Sequence, residues 1–150
     1  MRKKQDGVAL IEFALVLPLL LVLTLITTEL GRALYQYNTL TKSVRDAVRY
    51  LSVQYPGINT DKAKNLVVYG SLSNTGSPLA FGLSTNQVKD PTWQTAGTSP
   101  VINTVTIKIA GCGNSAPPCY KFVPLLSSVF GVNFGNVNFS DISATMRSPS

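Results

Sequence analysis

The most apolar stretch of the chain lies near its N-terminus and passes without a break into an amphipathic one. No residue between Phe13 and Thr28 is charged, and Leu, Val, Ile and Ala dominate there. A stretch of this length can cross the hydrocarbon core of a bilayer. From Glu29 onward, apolar residues recur every three or four positions, as in a helix with one buried face: Leu30, Leu34, Tyr37, Leu40, Val44, Val48, Leu51 and Tyr55. We therefore predict one helix over residues 8–55, apolar all round in its first half and striped in its second.

The remainder of the chain has the pattern of a small α+β domain. The run Tyr55-Pro56-Gly57 is a strong stop signal for the long helix. A short helix is expected at 60–70, with Thr60 as its N-cap and Gly70 just past its end. The clearest strand is 101–110, in which apolar and polar residues alternate.

Weaker patterns predict the other elements of this domain. They are strands at 87–93, 120–123 and 137–146, and one or two helical turns at 124–131. Pro91 confines the first of these strands to a sheet edge. A shift of phase near Ser140-Asp141 indicates a bulge in the last one. The predicted fold is α+β, with the striped half of a long N-terminal helix packed on a small antiparallel sheet.

The charge distribution indicates an orientation in the membrane rather than a nucleic-acid partner. The net charge is +6, and three of the basic residues, Arg2, Lys3 and Lys4, precede Gly7. Basic residues at one end of an apolar segment favour the cytoplasmic side for that end. The remaining Lys and Arg residues are spread thinly and form no stripe that would follow a phosphate backbone, so no nucleic-acid binding is expected.

The residue types argue against catalysis and for a disulfide. The chain has no histidine, and histidine is the commonest general base and transition-metal ligand. No hydrolase or nucleotide-binding motif is present, so we expect neither an enzyme nor a cofactor or metal. Cys112 and Cys119 flank a loop rich in Gly and Pro, and their spacing fits neither a redox motif nor a zinc site. A disulfide between them predicts an oxidising compartment outside the cytoplasm.

Three residues near the start of the apolar stretch have two interpretations each. Glu12 is a carboxylate four residues inside it, where charge is costly and commonly functional; alternatively, it reaches the cytoplasmic interface of an ordinary anchor. Gly7 offers a peptidase an unhindered backbone, or is simply a flexible residue before a helix. Pro18 removes a hydrogen bond to Ala14 and predicts a kink, although membrane helices also tolerate proline.

The N-terminal residues resemble a known family. The run GVALIEFALVLPLL at 7–20, followed by ELGRALY at 29–35, resembles the TadE-like proteins of the tight-adherence (Flp) pilus system, which are similar to type IV pilins. The ending ISATMR at 142–147 also fits this family. Where this chain has Phe13, Flp-type pilins often have tyrosine.

The resemblance implies a role for each of these N-terminal residues. A prepilin peptidase would cut between Gly7 and Val8, which places Glu12 at the fifth position of the mature chain. Glu12 would then pair with the new ammonium of Val8 on a neighbouring subunit, and Pro18 would let the helix unwind locally in a fibre. Phe13, which lacks the tyrosine hydroxyl, would still allow packing during assembly.

The resulting division of the chain is a leader at 1–7, a transmembrane helix at 8–28, an amphipathic extension at 29–56 and an extracytoplasmic α+β domain at 57–150. The resemblance implies a structural or priming minor pilin (pseudopilin) in the inner membrane, with a cytoplasmic N-terminus and possible incorporation in a surface pilus. Its expected partners are the major pilin, other minor pilins, the prepilin peptidase, the inner-membrane assembly platform and the lipid bilayer. The alternative is a signal-anchored binding protein whose helix is only a tether.

Overall fold

A computed structural model describes residues 6–126, 128–129 and 132–148 of the chain. Helix α1 (Asp6–Ser52) has 47 residues, which corresponds to a length of about 70 Å. It ends three residues before the predicted Tyr55, which is 73% exposed. Tyr55 precedes Pro56, and a residue before proline is sterically disfavoured in the helical conformation. Gly57 then takes a positive φ of 83° as the chain turns away.

Helix α2 (Thr60–Tyr69) confirms the predicted second helix and packs against α1. Its C-terminal cap is Gly70, as predicted: the residue has φ 68° and its N–H donates to the carbonyl of Leu66. The N-cap prediction was wrong, because Thr60 lies inside the first turn. The capping position is Asn59, which adopts a left-handed conformation without a side-chain cap.

The main sheet has three antiparallel strands in the order β1-β2-β5. These are β1 (Val88–Ala96), β2 (Ile102–Ile109) and, after a small hairpin of β3 (Ser128–Val129) and β4 (Val132–Asn133), β5 (Ile142–Ser148). Val105 in the central strand lies opposite Trp93 on one side and Met146 on the other. The pairing of β1 is irregular between Lys89 and Thr92, where Pro91 lacks an N–H to donate. The predicted edge position of this strand is confirmed.

Three predictions for the last third of the chain were wrong. Residues 120–123 form no strand, and Tyr120 makes only a single bridge with Gly111. Residues 124–126 are not helical and Ser128–Val129 is a strand, while 127, 130 and 131 lie outside the described residues. The last strand begins at Ile142 rather than 137, so the shift of phase marks the start of the strand and not a bulge. A short 3-10 turn (Phe134–Asn136) precedes it instead.

The hydrophobic core lies between the striped half of α1, helix α2 and one face of the sheet. Its fully buried members include Leu40, Val44, Ala47, Val48 and Leu51 from α1, Ala63, Val67 and Val68 from α2, and Val105, Ile107 and Ile109 from β2. The prediction that Leu30 and Leu34 share this buried face was wrong, since both are exposed. The core therefore begins only at Leu40, and we call residues 53–148 the head.

The loop between β2 and residue 120 is fixed by a disulfide and by one carboxylate. The predicted Cys112–Cys119 bond is present, with the Cα atoms 5.0 Å apart. Oδ1 of Asp141 accepts hydrogen bonds from the N–H of Gly111 and the hydroxyl of Ser115, both at 2.9 Å. A Cβ on Gly111 would clash with the carbonyl oxygen of Phe139. Glycine is therefore required there, because the segment leading to β5 passes directly over it.

Acid is expected to destabilise this corner of the head. The hydrogen bond from Gly111, helped by Ser115 and Lys108 and opposed by burial, holds the pKa of Asp141 below its ordinary value. A carboxyl whose pKa falls on folding contributes stability that is complete above its unfolded pKa, about 4, and is lost as the pH falls through the folded value. In detergent-solubilised protein, Asp141→Asn should therefore show a smaller drop in Tm between about pH 7 and about pH 3 than the wild type.

Asp90→Asn is the matched control for this measurement. The Asp90 carboxylate pairs with Lys64 on the surface and is largely exposed, so its pairing is expected to contribute little. This variant should keep most of the wild-type pH dependence. An undiminished acid-induced drop in Asp141→Asn would contradict the role assigned to Asp141.

Candidate assembly segment and its junction with the head

The first half of α1 has no protein cover. We call residues 7–28 the apolar segment; only Val22 and Ile26 are half-buried in it, and its other residues are exposed. By length and composition, the helix can cross a membrane. Exposed apolar surface of this extent needs a lipid or protein environment. The segment is therefore a surface for a bilayer, for neighbouring helices, or for both in turn.

The hydroxyl groups near the C-terminal end of the segment already have hydrogen-bond partners within the helix. Thr24 donates to the carbonyl of Leu21, Thr27 to that of Leu23 and Thr28 to that of Thr24, at 2.7–2.8 Å. In hydrocarbon an unsatisfied polar group costs several kcal/mol. These local bonds make the three threonines compatible with an apolar environment.

Glu12 and Val8 lie one helical turn apart. Residues four apart share one helix face, and four residues span about 6 Å along the axis. The Glu12 side chain is exposed, and the apolar residues Ala9, Phe13 and Val16 lie around it. Its charge is thus presented to whatever covers the segment.

The other predicted site residues lie along the same helix or far from it. Gly7 and Val8 are both helical and exposed, and a Cβ on Gly7 would contact nothing within 4 Å. Phe13 is exposed, and α1 continues through Pro18. Cys112 and Cys119 belong to the head and are not part of this segment. Over the described ranges, no group of three or more Cys, Asp or Glu side chains is placed to hold a metal ion.

A buried carboxylate marks the point where the apolar segment meets the head. Glu29 directly follows the segment and is only 3% exposed. Its Oε2 lies 3.0 Å from Nη1 of Arg32, and its Oε1 accepts a hydrogen bond of 3.1 Å from the N–H of Leu125. The Arg32 guanidinium also lies 5.7 Å from the centre of the Phe122 ring, within the range of a cation–π contact. A buried charge needs such partners to offset its lost hydration.

Further contacts extend this attachment by two turns of the helix. The hydroxyl of Tyr120 donates to Oε1 of Gln36 at 3.0 Å, and burial raises the pKa of Tyr120 to about 12. The Phe139 ring packs against Tyr37, Tyr120 and Phe122, with centroids 5.7–6.2 Å apart. We call these contacts the junction: Glu29, Arg32, Gln36 and Tyr37 of α1 with Tyr120, Phe122, Leu125 and Phe139 of the head.

The hydrophobic pattern could not reveal the junction. Arg32 and Gln36 are not among the apolar positions that define the buried stripe, yet both are partly buried against the head. The available signal was the pair Glu29 and Arg32, oppositely charged and three residues apart at the end of an uncharged stretch. The segment 120–125 supplies the partners from far along the chain, and no local pattern specified that pairing.

Removal of the Glu29 carboxylate is expected to weaken the junction. Glu29→Ala leaves the Arg32 guanidinium without its carboxylate partner and the Leu125 N–H without its acceptor, so the free energy of unfolding should fall by about 1–3 kcal/mol. Glu29→Gln keeps an acceptor for Leu125 and should lose less. Denaturant unfolding in detergent measures both, with the exposed Asp46→Ala on the same helix as control, for which a change within about 0.5 kcal/mol is expected. Equal effects of Glu29→Ala and Asp46→Ala would contradict this role.

Comparison with known proteins gives a match for the N-terminal part of the chain. The model of the TadE-like protein family matches residues 7–49. This range contains the apolar segment, the α1 side of the junction and most of the core-facing half of the helix. No curated protein matches the chain significantly, and neither does any solved structure. The resemblance seen in the sequence is thereby confirmed for this range.

Proposed function

We propose that the chain is a structural or priming minor pilin (pseudopilin) that is cleaved after Gly7 and takes part in assembling a Tad/Flp-type pilus. The observation that carries this proposal is the uncovered apolar segment with a single carboxylate, Glu12, inside a TadE-like match. The role is structural and not catalytic. The partners we propose are the major pilin, other minor pilins, the prepilin peptidase and the inner-membrane platform.

In this role the apolar segment has two successive environments. Before assembly the segment spans the inner membrane once, with the N-terminus cytoplasmic and the head outside. During assembly its exposed face passes from lipid to neighbouring helices without crossing water, since both surroundings are apolar. The head remains attached through the junction and provides the contacts at the surface of the assembly.

Glu12 would select the correct assembled state through charge pairing. Cleavage leaves an α-amino group on Val8, and such groups have pKa values near 8 and are mainly ammonium at neutral pH. Because Val8 and Glu12 are exposed one turn apart, a neighbouring subunit shifted by about one turn, roughly 5 Å, brings its Val8 beside Glu12. In an apolar environment the attraction is much stronger than in water, and an unpaired carboxylate is penalised.

Substitution of Glu12 tests this proposal in cells that carry the pilus system. Glu12→Gln keeps the shape of the side chain and removes its charge. This variant and Glu12→Ala should insert into the membrane at least as well as the wild type, because a charge in the apolar segment is costly. Both should be lost from the fraction recovered with the pilus or its platform, whereas Glu12→Asp should retain part of that recovery.

Asp46→Asn is the matched control, since it removes an exposed charge from the same helix outside the apolar segment. It should be recovered at the wild-type level. If Glu12→Gln and Glu12→Ala are also recovered at that level, charge pairing is wrong and the helix acts only as a tether, as in a signal-anchored binding protein.

A further inference from the structure

The head carries exposed apolar side chains at the level where the apolar segment ends. Leu125 is 75% exposed, and its N–H donates to Glu29, the residue directly after the segment. Phe81 is 72% exposed and lies with Leu79 beside Thr28, Gly31, Arg32 and Tyr35 of α1. Two separate loops of the head thus present apolar side chains next to the same two turns of the helix. Neither contributes these side chains to the core.

We propose that these two loops, 79–81 and 125–126, are a second membrane contact by which the head rests on the outer leaflet of the bilayer. The proposal depends on insertion of the apolar segment, as stated in the proposed function. Since the loops meet α1 where the segment ends, a bilayer filled by residues 7–28 places them at its surface.

The position of the charges at this level favours a lipid surface. Glu29 is the carboxylate nearest to the end of the segment, and it is buried against the head and paired with Arg32. Asp46, the next acidic residue on α1, lies seventeen residues further on, about 25 Å along the axis. Tyr35 is exposed at the same level as the loops, and tyrosine is typical of the membrane–water interface. Apolar side chains with a masked carboxylate suit the boundary between headgroups and acyl chains.

The positions of the two loops around α1 also favour contact with a flat surface, such as that of a bilayer. At 100° per residue, the side of α1 beside Phe81, which includes Gly31, Arg32 and Tyr35, is turned by roughly 90° from Glu29, which Leu125 contacts. A surface roughly perpendicular to α1 reaches both loops at once. The occupant that fits is therefore the headgroup region of a bilayer.

Tryptophan fluorescence in vesicles tests this contact. The full chain is reconstituted in phosphatidylcholine–phosphatidylglycerol vesicles with brominated acyl chains, which quench nearby tryptophan. Phe81→Trp and Leu125→Trp are compared with Tyr55→Trp, which is similarly exposed but lies beyond the far end of α1. Leu23→Trp, within the apolar segment, reports insertion itself. Trp93, the chain's single native tryptophan, remains in place, and the parent protein supplies its signal for subtraction.

The expected result is a loss of emission for Phe81→Trp and Leu125→Trp that approaches the loss for Leu23→Trp, with none for Tyr55→Trp. Quenching of Leu23→Trp alone would overturn the membrane contact and leave insertion intact. Failure to quench Leu23→Trp would instead refute insertion and, with it, this part of the proposed function. Blue-shifted but unquenched loop tryptophans would mean that a second copy of the chain covers the loops, which also overturns the proposal.

Labelling of the unsubstituted chain gives a second measurement that does not depend on the variants. A lipid-soluble carbene reagent, activated in the same vesicles, should modify peptides containing Leu79–Phe81 and Leu125–Leu126 as well as the apolar segment. Peptides around Tyr55 should remain unmodified. Modification confined to the apolar segment would overturn the proposal.

Discussion

The uncovered hydrophobic surface of residues 7–28 is the constraint on which the rest of this structure depends. At about 25 cal/mol per Å² of apolar area, burying the exposed Leu, Val and Ile side chains of two helical turns contributes more free energy than most other single interactions in the chain. The segment cannot remain in water, and its local hydrogen bonds leave few polar groups to oppose transfer into lipid. A lone carboxylate, Glu12, is the exception, and its cost is offset only where a positive partner is provided.

The junction attaches the head to α1 next to the end of this segment. The core begins at Leu40, so the first three turns after the apolar segment are attached by other contacts: a partly buried ion pair, a tyrosine–amide hydrogen bond and a cluster of aromatic rings. The disulfide and Asp141 hold the loop that leads into Tyr120. The head is thereby attached close to the end of the segment rather than suspended beyond it, and this position brings its two apolar loops to the same level.

The sequence alone was sufficient to predict those elements whose structure follows from the local pattern of residues. The long helix, the second helix, the central strand at 102–109 and the disulfide were predicted because each depends on residues close together in the chain. The predictions were wrong where contacts with distant residues determine the structure. Leu30 and Leu34 match the helical spacing, yet at that level the head packs against the face of α1 that carries Glu29 and Arg32. The start of the last strand at Ile142 likewise depends on Asp141 binding Gly111, thirty residues earlier. The roles proposed for Gly7, Val8 and Glu12 follow from their order in the sequence, whereas the partners of Glu29 could not be inferred from it.

Processing is the most direct test of the account, because the pairing of Glu12 requires a free amino group on Val8. The decisive measurement is the intact mass of the protein isolated from native membranes. If the protein is processed as proposed, its mass will correspond to a chain that begins at Val8, with Cys112 and Cys119 oxidised. A chain that still carries residues 1–7, from cells in which an active prepilin peptidase is demonstrated, would contradict it.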